Sequence, residues 1–165
     1  TSFDHGAKIR LLEFLIHVNG IYFVPDGTRA KVYRKLANDL HEAKNTSYGW
    51  GRETTVAKTI KQFGPFVPNI AFEEFYQEIL AVCLGNYWGR SSAHQYLEEF
   101  ILTLNTERLR EILKLFHIND RVREELYFRK PKAHATSLLN KIKEKFTIEA
   151  YKSEVDDCIR MIEEL

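Results

Sequence analysis

Six histidines, at His5, His17, His41, His94, His117 and His134, are the side chains best suited to metal ligation or proton transfer, and none lies three or four positions from another. A site built on short helical spacing, such as H-E-x-x-H, is therefore absent, and ligands would have to converge from separate elements. The acidic pairs Glu73-Glu74, Glu98-Glu99 and Glu124-Glu125 are adjacent in the chain. Neighbours on a helix point apart, so these pairs read as solvated faces and not as paired carboxylates for acid–base work. Neither G-x-x-x-x-G-K-[ST] nor G-x-S-x-G occurs, which removes the common phosphate-loop and nucleophile-elbow chemistries. The pattern favours a non-catalytic chain, with no cofactor and no metal expected.

Binding chemistry is better represented. Gly49-Trp50-Gly51-Arg52 and Gly85-Asn86-Tyr87-Trp88-Gly89-Arg90 each set an aromatic and an arginine among glycines, just before a helical pattern. Trp and Arg are enriched at binding hot spots, so Trp50, Trp88 and Arg90 are candidate partner contacts. The plainer reading folds the indoles onto the core while glycine shapes the turn. An arginine beside a helix start can also hold a phosphate or carboxylate on the unpaired backbone N–H groups.

The most specific signal runs from Tyr33 to Phe63. Leu36-Ala37-Asn38-Asp39-Leu40 followed by Thr54-Thr55-Val56-Ala57-Lys58-Thr59-Ile60-Lys61 looks like a helix-turn-helix pair. Ala37 is small enough for a close crossing, and Val56 is placed to pack back on the first helix. Thr54, Thr55, Lys58 and Lys61 would then face base edges or phosphates. Arg52 would anchor a phosphate, and Lys31, Arg34 and Lys35 would extend the contact. The connection Ala43–Glu53 is longer than the three or four residues usual for that motif.

Charge supports this reading locally and not globally. The chain has a formal charge of only +1, yet residues 29–61 hold eight basic and three acidic side chains, a balance of +5. Such excess drives phosphate neutralisation. Residues 121–145 carry the same +5, whereas 146–165 hold two basic and six acidic residues. The acidic C-terminal helix is read either as shielding the basic helix before it or as a face for a basic partner. Two functional classes follow: a nucleic-acid-binding module, expected to act on DNA through 54–61, and a protein-interaction or scaffolding domain using the Trp/Arg loops and the acidic helix. Self-association belongs to the second class.

The elements that must position these residues are helical. With 165 residues, 44% apolar and 28% charged, the chain can fill one core and is expected to form one domain over 1–165, weakest near 130–132. Apolar periodicity predicts a mainly α, compact bundle of about eight or nine helices. These cover Ala7–Val18, Ala30–Ala43, Thr54–Phe63, Phe72–Leu84, Ser92–Leu104, Thr106–Phe116, Asp120–Phe128, Thr136–Phe146 and Thr147–Leu165, with Thr54 and Thr147 as caps. Ile21–Val24 and Thr28–Val32 leave a short β-hairpin open, against a helix capped by Thr28. Cys83 and Cys158 fall at apolar helix positions and are expected as buried free thiols. No run of eighteen apolar residues and no signal peptide is visible, so a non-membrane, intracellular setting, cytoplasmic or nuclear, is expected. The start at Thr1-Ser2 reads as a piece or processed form of something longer.

Overall fold

The computed structural model describes residues 20–45, 50–85, 92–129 and 132–165, together with 7, 10, 11, 14 and 15. Among them are eight α-helices and no strand: α1 Asp26–Asn45, α2 Trp50–Phe63, α3 Phe72–Leu84, α4 Ser92–Leu102, α5 Thr106–Ile118, α6 Asp120–Arg129, α7 Lys132–Lys145 and α8 Glu149–Glu163. Ala7, Arg10, Leu11, Phe14 and Leu15 also have helical backbone, and the rest of that expected first helix lies outside the described residues.

The centre is α3. Its residues Phe75, Tyr76, Ile79, Leu80 and Ala81 are all fully buried, as expected of a helix apolar on most of its circumference. It packs against α1, α4, α5, α6 and α7. Tyr33 of α1 meets Phe63 of α2 and Phe75 of α3 edge-on, at centroid distances of 6.0 and 5.0 Å. Such pairs add roughly 0.5–1.5 kcal/mol each beyond area burial. One contiguous buried cluster runs from Ile21 to Ile162. The stripes read from periodicity are the buried ones: Tyr33, Leu36, Ala37 and Leu40 on α1, and Val56, Ala57, Ile60 and Phe63 on α2. Cys83 and Cys158 are buried free thiols.

Several local expectations change. In place of a hairpin, Ile21–Phe23 forms a single 3-10 turn and α1 begins at Asp26, ahead of Thr28. Pro25 starts it, its carbonyl accepting from the Thr28 and Arg29 amides at 3.0 and 3.1 Å. A lone hairpin is marginal without a packing partner, whereas a helix here buries Ala30, Val32 and Tyr33 at once. α2 begins at Trp50, so Thr54 lies within the helix and is not its cap. Consequently helical backbone reaches Asn45 on one side and Trp50 on the other, inside the Ala43–Glu53 connection expected, and 46–49 lie outside the described residues. Ile148, not Thr147, occupies the cap position of α8, because the Tyr151 and Lys152 amides bond to the Ile148 carbonyl at 3.1 and 3.2 Å.

Candidate interaction surfaces

The residues proposed to face nucleic acid divide into three groups. Arg34 turns toward α3, its Nε 2.7 Å from Glu74 Oε2 and its Nη2 donating to the Ile70 carbonyl at 3.0 Å. Lys35 and Arg52 converge on Asp39, at 2.8 and 3.6 Å, and Arg52 also approaches Glu42 at 4.0 Å. Lys58 and Lys61 lie over the Tyr96 ring of α4, 5.9 and 5.6 Å from its centroid, and Lys61 pairs with Glu99. That pairing holds the Glu99 carboxyl below the usual carboxylate range, the Lys61 hydrogen bond being the main cause. Lys31, Thr55 and Lys58 are exposed and Thr54 is half-buried. Ala37 and Val56 are buried in the same core, as a close α1–α2 crossing requires. The fold thus brings Lys35 to Arg52 and Lys58 to Lys61, while Arg34 points to a different neighbour.

Of the aromatic loop candidates, Trp88 and Arg90 lie outside the described residues. Trp50 contributes the first turn of α2, and its side chain lies outside them too. The acidic last helix turns part of its charge inward. Glu154 receives a two-point contact from Arg110, at 3.0 and 2.7 Å, and Asp156 pairs with Lys143 of α7 at 2.8 Å. The same geometry holds the Glu154 carboxyl below its usual range, the Arg110 hydrogen bond being the main cause.

A surface that periodicity did not single out lies on α6. Val122 and Leu126 form its buried stripe. Tyr127 and Phe128 stand about 100° and 200° further round a helix of 3.6 residues per turn. They are 62% and 71% exposed and meet edge-on at 5.2 Å. With Leu126, Met161 and Leu165 they line a groove of about 280 Å³ between α6 and the end of α8. Ile118, at the end of α5, is a further exposed apolar residue. Asp120 and Glu124 supply the groove's carboxylates, and neither is paired with a cation among the described residues. Its arginine, Arg123, is engaged, donating to the His117 carbonyl at 3.0 Å and to Met161 Sδ at 3.6 Å. The only signal in the chain was two aromatics off the Val122–Leu126 stripe.

Polar groups hold α6 in register. Asn119 caps it, its Oδ1 accepting from the Val122 amide at 3.0 Å while its Nδ2 donates to Glu73 and Gln77 of α3 at 2.8 and 3.1 Å. Arg121 lies 3.3 Å from Glu78 and 3.6 Å from Glu125. His41 Nδ1 closes the cluster 3.0 Å from Glu78 Oε2. Two largely buried carboxylates beside one guanidinium give a fixed junction between α1, α3 and α6, because breaking such a pair strands a buried charge.

One further pairing resembles a thiol–imidazole dyad: Cys158 Sγ lies 3.3 Å from His117 Nε2. Burial, with Asp157 and Glu154 nearby, pushes the Cys158 thiol up to about 12. A nucleophilic cysteine needs the opposite shift. Among the described residues no group of three or more His, Cys, Asp or Glu is placed to hold a metal ion, and no helix is long and apolar enough to cross a membrane.

Together these features define an all-helical bundle bearing a solvent-facing apolar groove and a separate, ion-paired cationic edge. No protein family, curated protein or solved structure was found to match the chain.

Proposed function

We propose that this domain is a protein-interaction module whose α6–α8 groove receives an apolar segment of a partner protein flanked by Lys or Arg. The observation that carries the reading is the pair Tyr127 and Phe128, left 62% and 71% exposed on a helix that buries its other face. Contiguous exposed aromatics beside Met161 are the composition of interface cores. The occupant follows from charge. Two carboxylates, Asp120 and Glu124, line the groove against one cation, Arg123, whose hydrogen bonds go to the His117 carbonyl and Met161 Sδ, so the groove keeps a net negative charge. A basic flank on the partner would be attracted there, and an acidic one repelled.

Met161 is the only methionine in the chain and lines the groove, so its methyl NMR signal reports occupancy directly. Peptides selected from a display library against the folded domain should share apolar residues at helical spacing with flanking Lys or Arg. They should shift the Met161 methyl, and they should lose affinity on Phe128→Ser. Binders that leave Met161 unmoved and tolerate Phe128→Ser would refute the reading.

A second reading keeps the nucleic-acid interface, supported by the exposed Thr55 and Lys58 on the outer side of α2 and by the +5 balance of residues 29–61. It requires duplex binding that weakens steeply with salt and is lost on joint Lys58→Glu and Lys61→Glu replacement. A flat anisotropy titration at low salt removes it.

A further inference from the structure

On the opposite part of the chain order from the groove, the start of α1 and the start of α5 meet across the loop that follows α2. Gly64, at φ +72°, turns the chain out of α2, a left-handed conformation that glycine adopts without strain. Its carbonyl accepts from the Tyr33 hydroxyl at 3.3 Å, and the Phe66 carbonyl accepts from Arg29 Nη1 at 3.1 Å. The loop so fixed walls an open cavity of about 370 Å³, lined also by Asp26, Arg29, Asn69, Asn105 and Arg108. That volume lies near the lower end of small-ligand clefts, about 300–1,000 Å³.

Two guanidinium groups meet this cavity with donors to spare. The Arg29 side chain is 14% exposed; its Nη1 and Nη2 already donate to the Phe66 carbonyl and to Asp26. Its unpartnered Nε is closed off from solvent, so Arg29 offers the cavity its charge and the second hydrogens of its Nη atoms. Arg108 lies over the Phe72 ring at 5.1 Å. Its Nη1 bonds Asn69 Oδ1 and Glu111 Oε2, each at 3.0 Å, leaving Nε and Nη2 uncommitted among the described residues. Two positive helix ends add to the field: α1 starts at Asp26, and α5 is capped by Asn105, whose Oδ1 accepts from the Arg108 amide at 2.9 Å. Charge opposes occupancy at two points, because Asp26 pairs with Arg29 at the cavity's rim, with its own side chain 67% exposed, and Glu111 pairs with Arg108 at 3.0 Å.

From this cluster we infer a phosphoryl-binding site, with Arg29 and Arg108 as the anchoring cations and their partners Asp26 and Glu111 as competing carboxylates that lower its affinity. Guanidinium groups present planar pairs of donors that match oxyanions, and a dianionic phosphoryl group answers two cations better than a single carboxylate does. The site is independent of the α6–α8 groove and does not rest on the function proposed for it.

Inorganic phosphate is the probe, titrated into the labelled domain and followed by amide NMR, with sodium acetate and sodium chloride at matched ionic strength beside it. Phosphate should shift signals of Asn69, Asn105 and Arg108 saturably, with chloride silent and acetate much weaker. Arg108→Gln should weaken the response at least about tenfold, or about 1.4 kcal/mol. Asp26→Asn should strengthen it several-fold, an outcome that a merely structural Arg29–Asp26 pair would not produce. Equal responses to chloride, or a response unchanged in Arg108→Gln, overturn the site. Acetate binding as well as phosphate overturns the phosphoryl assignment. Should Arg108→Gln not fold, Asn69→Asp, which adds a carboxylate beside Arg108, must weaken phosphate binding, and failure to do so is equally decisive.

Discussion

The α1–α2 edge and the α6–α8 groove handle solvent in opposite ways. On the first, Arg34, Lys35, Arg52 and Lys61 each meet a carboxylate within 4.0 Å, so a locally basic sequence becomes a surface of ion pairs. On the second, Tyr127 and Phe128 stay in water beside two carboxylates that form no ion pair within 4.0 Å among the described residues. Surface pairs contribute little to stability, with a median of about 0–1 kcal/mol, and a phosphate backbone docking there would have to compete with them. Exposed aromatics contribute nothing to folding where they stand and gain only when something covers them. Local charge count thus does not give the charge a folded surface presents, because partners from other helices pair with it.

The contrast can be tested first within α6 itself. Leu126 is 1% exposed, and Leu126→Ala should lower unfolding stability by about 2–5 kcal/mol in a urea titration. Phe128→Ser, two residues away, should change it by no more than about 0.5 kcal/mol. A large loss at Phe128 would mean that its ring supports the fold and is not kept for a partner.

Next in size is binding. Phe128→Ser should weaken a groove-binding peptide at least about tenfold, as expected of an aromatic anchor at an interface centre. Joint Lys58→Glu and Lys61→Glu substitution should leave the same affinity within about twofold, since distant sites act independently. Loss of peptide binding in the lysine variant would merge the two regions into one surface and end the comparison.

The smallest effect concerns pH. Arg110 holds the Glu154 carboxyl below its usual range in the folded protein. A group whose folded pKa is depressed contributes stability that is fully present above its unfolded pKa, about 4.3. That contribution is lost as pH falls through the lower folded value. Glu154→Gln should therefore lower stability slightly at pH 7 and flatten its decline below pH 5, the variant and the parent converging in acid. Both partners are more than a third exposed, so solvent screens the effect. A steeper acid decline in the variant would contradict the assignment.

Much of the architecture was legible in the chain. The apolar stripes of α1, α2 and α3 marked the buried faces because a helix repeats every 3.6 residues wherever it sits. The burial of Cys83 on α3 and of Cys158 on α8 followed from apolar helix positions in the same way. Boundaries were less legible: Thr54 and Thr147 have good capping chemistry, but α2 already includes Trp50 and so runs past Thr54, and Ile148 takes the cap position of α8. Of the candidate site, Trp88 and Arg90 lie outside the described residues, and Tyr127, Phe128, Arg29 and Arg108 gave no motif to find. A motif is a short-range pattern, and what surrounds these residues comes in large part from more than 30 positions away, as in Arg29 with Phe66 and Arg108 with Asn69.

The amino-acid order alone determined that this chain would be helical and which stripe of most helices would face inward, because backbone period and side-chain hydrophobicity act locally. Only the tertiary structure decided which cations would be neutralised and which aromatics left uncovered. Both outcomes depend on what a distant helix brings alongside, and no pattern within one segment carries that information.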